Sequence, residues 1–341
     1  MRFFLISLIF SSYFVNAQSI SDLEFGTDST FDVVSWNIEW FPKNNNTAGV
    51  VLDIIKELNA DIYALQEIED TLLLKQTVSN LADFQCHFKS SYYGGLAYVY
   101  NAQSVQVNSI QEIYTSQPFW SFFPRSPQVL DCNYNGENYI IINNHLKCCG
   151  DGFLDLNDSS DEEYRRLQAI TYLKQYIDIN FSNKKVILLG DLNDILTDLD
   201  QHNVFYDFIN DSLNYKFSDM HIAQGSSLNW SYPSWPSHLD HILISNEIFS
   251  DPFYSNYTSV VLKIDDYMNG WSNYDNNVSD HRPVAIKIPS SISSFAPEES
   301  IANNDTFVRY FDLLGRRIFK LRKGFVLEQD SFGRIKKKYI K

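Results

Sequence analysis

The sequence predicts two β-sheets packed face to face and covered by helices. Apolar segments of strand length dominate the chain, and a few segments with helical spacing are inserted between them. Apolar residues make up 44% of the 341 residues, which is enough for a packed core, and the aromatic content of 15% is typical of β-rich cores. A chain of this length forms one large domain or two smaller ones.

The order of the elements follows from the spacing of the apolar residues. The predicted strands cover 31–36, 61–65, 96–100, 105–114, 139–142, 186–189, 239–244 and 284–288. The predicted helices cover 50–58, 71–81 with Thr71 as its cap, and 161–179 with acidic residues in its first turn. Two less regular stretches, 115–138 and 203–235, are interpreted as surface loops near the rim of a site.

The two ends of the chain differ from its middle, 18–289. Residues 1–17 combine Arg2, a short apolar stretch and a small-residue ending, which predicts a secretory signal peptide; an uncleaved anchor is the alternative. Residues 290–300 have the composition of a linker. Residues 301–341 are predicted to form a small β-element, with 11 Lys and Arg against 4 Asp and Glu. No other segment is apolar enough to span a membrane.

Four cysteines follow the signal peptide, Cys86, Cys132, Cys148 and Cys149. In an exported protein they are free to oxidise, and we expect one or two disulfides that involve Cys132. Neighbouring cysteines rarely meet disulfide geometry, so Cys148 and Cys149 are not expected to bridge each other. A zinc site is less favoured because the sequence contains no CxxC pair.

The net charge of −15 limits the kinds of partner that the protein binds. Because the C-terminal element is basic, the region before it is more acidic than the whole chain, and it should repel a phosphate backbone at long range. Tight, metal-free binding of nucleic acid is therefore not expected. Chemistry on a phosphate group through a divalent cation is compatible with this charge, because the ion inverts the local field.

Six short segments place polar side chains beside apolar strands. They contain Asn37 with Glu39, Glu67, His145, Asp191 with Asn193, Asp240, and Asp280 with His281. Strand ends line one rim of a sheet, so these carboxylates, amides and imidazoles are expected to converge in space. Metal-assisted hydrolysis of a phosphoester requires side chains of these types.

In this order, the six segments resemble the endonuclease/exonuclease/phosphatase superfamily, which includes DNase I-like nucleases, sphingomyelinases and inositol-polyphosphate phosphatases. The resemblance covers about residues 30–289. It implies an α/β (α+β) fold, a four-layered sandwich of two mainly antiparallel sheets flanked by helices. It also implies a phosphodiesterase dependent on Mg²⁺, with Mn²⁺ or Ca²⁺ as alternative ions, for which DNA or RNA is a substrate rather than a tight binding partner. A phosphatase or sphingomyelinase acting on smaller phosphoesters, or a non-catalytic surface protein, is the alternative.

The resemblance further implies roles for the residues that bind metal and phosphate. Glu67 is the principal metal ligand, Asn37 is a second ligand or a phosphate donor, and Asp280 completes the metal environment. His145 donates to a phosphate oxygen and stabilises the charge that accumulates there. Asn193 hydrogen-bonds the phosphate.

Proton transfer is assigned, by the same resemblance, to Asp191 and to a dyad of Asp240 and His281. Asp191 orients or deprotonates the attacking water, and Asp240 fixes the tautomer of His281. Whether Asp191 or His281 is the base stays open. Glu39 and Arg125 are candidates for indirect metal contact and phosphate contact, with a solvated surface acid and a surface ion pair as the respective alternatives.

Several charged neighbours of these residues are assigned no chemistry. His241 is interpreted as structural and Asp194 as a turn residue. Arg165 or Arg166 is a candidate for an ion pair beneath the site, with a surface ion pair as the favoured alternative.

The C-terminal element resembles, in degenerate form, the sorting domain of the type IX secretion system. The matching residues are 311–316, 323–326 and 336–341. Together with the signal peptide, this resemblance implies export by a gram-negative bacterium, with the secretion machinery as a partner. We expect the exported protein to be a monomer.

Overall fold

The structure, a computed structural model, describes residues 18–88, 95–290, 309–311, 324–329 and 335–340. The predicted signal peptide and residues 291–300 of the predicted linker lie outside the described residues.

Two six-stranded sheets form the body of the described region. Their strands are β1 (Thr30–Phe41), β2 (Ile62–Ile68), β3 (Phe84–Phe88), β4 (Gly95–Asn101), β5 (Val105–Glu112), β6 (Gln128–Tyr134), β7 (Glu137–His145), β8 (Lys185–Asp191), β9 (Tyr215–Phe217), β10 (Asp240–Ser245), β11 (Thr258–Val261) and β12 (Val284–Pro289). The first sheet has the order β11-β12-β1-β2-β4-β3, and the second has the order β5-β6-β7-β8-β10-β9. Only the central pairs, β1 with β2 and β7 with β8, are parallel among these strands.

Helices cover the outer faces of both sheets. The α-helices are α1 (Thr47–Leu58), α2 (Thr71–Val78), α3 (Glu162–Asn180), α4 (Tyr206–Asn210), α5 (Met220–Ala223), α6 (Asn246–Phe249) and α7 (Trp271–Asn277). Short 3₁₀ helices occupy Ile20–Asp22, Phe119–Ser121, Ser227–Asn229 and Ile264–Tyr267.

The core is divided into three apolar layers. Residues of both sheets, such as Phe31 and Ile141, fill the space between the sheets. On one side, Ile54 of α1 packs on the outer face of the first sheet; on the other, Leu173 of α3 packs on the second. The resulting order of helices, sheet, sheet and helices confirms the predicted four-layered sandwich.

The strand register brings candidate residues side by side at one edge of the second sheet. His145, the last residue of β7, is opposite Asp191, the last residue of β8, and Asp191 is opposite Asp240 at the start of β10. Gly190 makes this register possible, since it has φ +142° and an added Cβ would lie 1.9 Å from the carbonyl oxygen of Asn144.

Buried amides join the two sheets directly beneath this edge. Gln66 of β2 donates its Nε2 to Asn143 Oδ1 of β7 at 2.8 Å. Asn143 in turn donates its Nδ2 to the carbonyl oxygens of Leu65 and Ala97 in the first sheet, at 3.0 and 3.2 Å. Both amide side chains are fully buried, so these bonds fix the position of one sheet relative to the other.

Some predictions of local structure are wrong. The stretches 115–138 and 203–235 are not simply loops. The first contains β6, a strand of the second sheet, and the second contains α4, β9 and α5. Helix α2 is capped by Asp70, whose side chain accepts the N–H of Leu73, rather than by Thr71.

The predicted disulfides that involve Cys132 are not formed. All four cysteines have free thiols. Cys132 lies fully buried in β6, in the layer between the sheets, where it packs as an apolar side chain.

The chain divides into two compact units after Ser293. The second unit contains β13 (Arg309–Phe311), β14 (Gly324–Gln329) and β15 (Ile335–Ile340), which form a three-stranded antiparallel sheet. This sheet confirms the small C-terminal β-element. None of the helices in the described residues has the length and apolar character needed to cross a bilayer.

Candidate active site

The amide of Asn37 links carboxylates from both sheets. Its Nδ2 donates to Glu67 Oε1 and to Asp191 Oδ2, each at 3.0 Å, and its Oδ1 accepts the backbone N–H of Glu39 at 3.0 Å. These bonds orient the side chain, so that its nitrogen and not its oxygen faces the carboxylates. Of the two predicted alternatives for Asn37, this orientation favours the phosphate donor over the metal ligand.

His145 lies against the same two carboxylates. Its Nε2 is 3.4 Å from Asp191 Oδ2 and 3.7 Å from Glu67 Oε1, while its buried Nδ1 has no hydrogen-bond partner in the structure. Burial, together with the positive charges of Arg125 and His281, lowers the pKa of His145 well below its usual value. The ring is therefore neutral at neutral pH, and with hydrogen on Nε2 it presents a donor to the centre of the site.

His281 and Asp240 form the predicted dyad. His281 Nδ1 donates to Asp240 Oδ2 at 2.7 Å, and His281 Nε2 faces Asp191 Oδ2 at 3.8 Å, which is too long for a hydrogen bond. Burial alone would lower the pKa of His281, but the carboxylates of Asp240 and Asp191 raise it well above its usual value. His281 is therefore an imidazolium with one ring nitrogen directed at the site.

The pKa of Asp191 is higher than that of an ordinary surface aspartate. Burial raises its pKa to about 7, against the opposing effects of the His281 charge and the Asn37 amide. A carboxylate with such a pKa exchanges protons near neutral pH, which is the property that a general base needs.

Glu39 connects β1 to the loop that carries the dyad histidine. Its Oε2 accepts the backbone N–H of Asp280 at 2.9 Å and forms an ion pair with Lys43, which also contacts Asp275 Oδ1 at 3.0 Å. Burial raises the pKa of Glu39. These bonds contradict the alternative that Glu39 is a solvated surface acid, and they place it behind the Asp280 loop.

The remaining predicted residues lie at the same edge. Asn193 donates Nδ2 to the carbonyl oxygen of Leu146 at 3.3 Å, and its N–H donates to Asp191 Oδ1 at 3.2 Å. Asp280 Oδ1 is 4.0 Å from His281 Nε2. Arg125 is half-buried and close enough to influence the pKa of His145.

Left-handed backbone conformations cluster at this edge. Glu39, Trp40, Glu67 and Asn193 have φ values of +34°, +50°, +63° and +56°. A residue other than glycine adopts such angles only where the surrounding structure imposes them, and this occurs most often at functional sites.

A buried charged network lies beneath the site, and only its arginine was anticipated from the sequence. His241 Nδ1 bonds Asp219 Oδ2 at 2.7 Å, and His241 Nε2 bonds the carbonyl oxygen of Asp194 at 2.9 Å. Both partners are acceptors, so both ring nitrogens carry hydrogen and His241 is a buried imidazolium. In agreement, Asp219 raises the pKa of His241 against the effect of burial, and the two neighbouring histidines lower the pKa of Asp219.

The same network extends to the loop after β7. Arg166 of α3, 2% exposed, donates Nε to Asp194 Oδ2 at 2.8 Å and Nη1 to the carbonyl oxygens of Lys147 and Cys149 at 2.8 and 2.7 Å. Asp194 is therefore more than a turn residue. Its carboxylate ties the loop after Asp191, through Arg166, to the loop after His145, and its carbonyl oxygen binds His241. The adjacent Arg-Arg pair was the only signal in the sequence for this buried ion pair.

The donor set suits a hard divalent cation. Glu67 and Asp191 offer carboxylate oxygens within reach of one another, and Asp240 Oδ1 is buried without a hydrogen-bond partner in the structure. Asp219, His238 and His241 also lie close enough together to hold a metal ion. Their polar atoms are, however, already occupied by hydrogen bonds within the protein. His238 Nδ1 accepts the N–H of Ser231 at 3.3 Å, and its Nε2 bonds Asp219 Oδ2 at 3.0 Å.

The four-layered fold and this site define a metal-dependent phosphoester hydrolase with the DNase I-like fold. The profile of the endonuclease/exonuclease/phosphatase family matches residues 34–281, and the chain belongs to this family. No curated protein sequence matches the chain significantly.

Solved structures of several different proteins share this fold. D. rerio TDP2 complexed with a single-strand DNA product is 13% identical, with a TM-score of 0.57 over 77% of this chain and 100% of that chain. The human Nocturnin catalytic domain with a bound sulfate anion is 17% identical, with a TM-score of 0.51 over 77% and 94%. A mannosyl-6-phosphatase of Bacteroides thetaiotaomicron is 16% identical, with a TM-score of 0.54 over 76% and 100%.

Proposed function

We propose that the protein is a divalent-metal-dependent phosphodiesterase that hydrolyses DNA or RNA. The observation that carries this proposal is the convergence of Asn37, Glu67, His145, Asp191 and the His281–Asp240 dyad at one edge of two sheets. Glu67, with Asp280, would hold the cation, which would supply positive charge beside the phosphate and so stabilise the transition state.

Side chains of the protein bind the phosphate and transfer the protons. Neutral His145 donates a hydrogen bond to a non-bridging phosphate oxygen, where negative charge accumulates. The Nδ2 of Asn37 donates to a second such oxygen by exchanging one of its two bonds to Glu67 and Asp191. Asp191, with its pKa near neutrality, accepts the proton of the attacking water. His281, held as an imidazolium by Asp240, donates its Nε2 hydrogen to the phosphate or the leaving oxygen.

An exposed aromatic ring beside the site supports a nucleic-acid substrate. Trp40 donates its backbone N–H to Glu67 Oε2 at 3.2 Å, and its side chain is 47% exposed. Such a ring offers a surface on which a base stacks, worth about 1–3 kcal/mol per base. TDP2, which binds a single-strand DNA product, is among the structural relatives.

A phosphatase acting on a small phosphoester is the second candidate. The acidic composition, with a net charge of −15, favours a small substrate over a long polyanion, and a mannosyl-6-phosphatase shares the fold. A sphingomyelinase is the lipid counterpart of this alternative.

A substrate panel tests these candidates. We expect Mg²⁺-dependent, EDTA-sensitive cleavage of single-stranded DNA or RNA, and weaker turnover of mannose 6-phosphate and sphingomyelin. Glu67→Ala should abolish cleavage while preserving the circular dichroism spectrum, and Glu69→Gln, two residues away and exposed, is the matched control. Full activity of Glu67→Ala would sink the assignment of the site, whereas hydrolysis of the sugar phosphate alone would make the protein a phosphatase.

Export completes the proposal. Residues 1–17 have the composition of a signal peptide, and the three-stranded C-terminal sheet is compatible with a sorting element. Fractionation of cells that express the full chain, or a chain ending at Ser290, tests this. Recovery of both forms in the medium would contradict a sorting role for residues 301–341.

A further inference from the structure

We propose that Cys148 and Cys149 are a redox-active pair that closes to a labile vicinal disulfide. Their Sγ atoms are 3.0 Å apart, and both residues are exposed. A disulfide needs about 2.05 Å between the sulfurs, so closure requires a movement of about 1 Å. Both thiols are free in the structure, in agreement with the expectation from the sequence, and their proximity is the reason for proposing that they close under oxidation.

The backbone of the pair is held by buried charges. Arg166 binds the carbonyl oxygens on both sides of Cys148, those of Lys147 and Cys149. Glu163 Oε1 accepts the N–H of Gly152 at 2.7 Å and pairs with Arg166 Nη2 at 3.1 Å. These bonds fix the loop to α3 and hold Cys149 at φ +73°. The conformation of the loop therefore keeps the two thiols close together.

The surroundings give the two sulfurs different roles. Lys147 Nζ donates to Cys148 Sγ at 3.8 Å, which places a positively charged side chain beside this sulfur. Cys149 donates its S–H to Cys148 Sγ, and this hydrogen bond, with burial, raises the pKa of Cys149. Cys148 is therefore the attacking sulfur, and Cys149 is the thiol that resolves the intermediate.

The reaction needs a small disulfide such as oxidised glutathione as the oxidant. The Cys148 thiolate attacks one sulfur of the oxidant, forms a mixed disulfide and releases one glutathione thiolate. Cys149, after loss of its proton, attacks Cys148 Sγ and releases the second glutathione. Two electrons pass to the oxidant, and the two protons of the thiols end on the two released glutathiones.

The product is expected to be easily reduced. Adjacent Cα atoms are about 3.8 Å apart, whereas an unstrained disulfide has about 4.4–6.8 Å between its Cα atoms. Strained, exposed disulfides have higher reduction potentials than structural ones, so the bond should open in mild thiol buffers.

Peptide mass spectrometry of the folded full chain tests the proposal. Trypsin cleaves after Lys147 and Arg165, so the peptide 148–165 holds both cysteines without Cys86 or Cys132. After incubation with oxidised glutathione and alkylation, we expect this peptide to be lighter by two hydrogen atoms and unalkylated. Reduced glutathione should restore alkylation of both thiols.

Two single variants complete the experiment. C149S should accumulate a glutathione adduct on Cys148, because the resolving thiol is missing. C148S should react more slowly, because burial raises the pKa of the remaining thiol. The proposal is overturned if the wild-type peptide keeps two alkylated thiols, carries stable glutathione adducts, or is joined to a second chain. These readouts do not depend on the proposed enzymatic activity.

Discussion

Replacing Asp240 by Asn tests the role of the Asp240 charge beside His281 in the proposed mechanism. Asp240 is fully buried, and its Oδ2 accepts His281 Nδ1–H at 2.7 Å. A hydrogen bond between charged groups is worth about 1.5–3 kcal/mol, and about 1.4 kcal/mol corresponds to a factor of ten in rate. Loss of the charge should therefore lower kcat by about 10- to 100-fold.

The same substitution should shift the pH dependence of the reaction. The Asp240 carboxylate raises the pKa of His281, so its removal lowers that pKa. If protonated His281 is the donor, activity is lost as the pH rises through this pKa, and the loss should begin at a lower pH in the variant. The Asp240 charge also raises the pKa of Asp191, so the loss of activity at low pH should likewise move to lower pH in the variant.

Steady-state kinetics with bis(p-nitrophenyl) phosphate and saturating Mg²⁺ measure both quantities. Asp207→Asn, a substitution at an exposed position of α4, is the matched control and should keep wild-type kcat. Thermal unfolding shows whether the variant is folded at the assay temperature. A folded Asp240→Asn enzyme with wild-type kcat and an unshifted high-pH limb would refute the role given to the dyad.

Three further substitutions test the framework around the site. His241→Leu removes the imidazolium partner of buried Asp219 and should lower the free energy of unfolding in urea by about 3–5 kcal/mol, and a change below 1 kcal/mol would contradict the ionised pair. Asn143→Ala removes the bonds between the sheets and should cost about 2–3 kcal/mol in the same assay; an unchanged unfolding midpoint would show that these bonds add nothing. Burial raises the pKa of Asp61 to about 7, above the ordinary value of 3.8 for an aspartate. The folded state therefore binds the extra proton, and the free energy of unfolding falls as the pH rises between these values, by at most about 1.4 kcal/mol per pH unit. Asp61→Asn should flatten this slope in urea unfolding at several pH values, and an unchanged slope would assign it to another group.

The convergence of the candidate site residues is predictable from the sequence because strand ends obey a simple rule. His145 and Asp191 each end an apolar strand, and adjacent strands in register bring such residues to the same edge. The apolar runs of β7 and β8 are buried on both faces, which makes them easy to find. The resemblance to a known family then supplied the roles that spacing alone cannot give.

The errors have a common physical origin in tertiary contacts. Strand β6 carries Asp131 and Asn133 on its outward positions and follows Pro124 and Pro127, so its apolar pattern is interrupted although alternate residues are buried. The buried Asp219–His241 pair joins a stretch without periodicity to β10. No local pattern distinguishes such a pair from surface charges, because its stability depends on partners distant in sequence.

The order of the strands along the chain determines when, during synthesis, the candidate active site is complete. Strand β12, near the end of the domain, pairs with β1 at its beginning, with Thr30 opposite Pro289. The Ser279 hydroxyl, just before β12, bonds the carbonyl oxygen of Asn37 at 2.7 Å and so seats His281 at the edge. A nascent chain that has not yet delivered β12 from the ribosome lacks this closing strand, so the edge that carries the site is completed only near the end of synthesis of the domain.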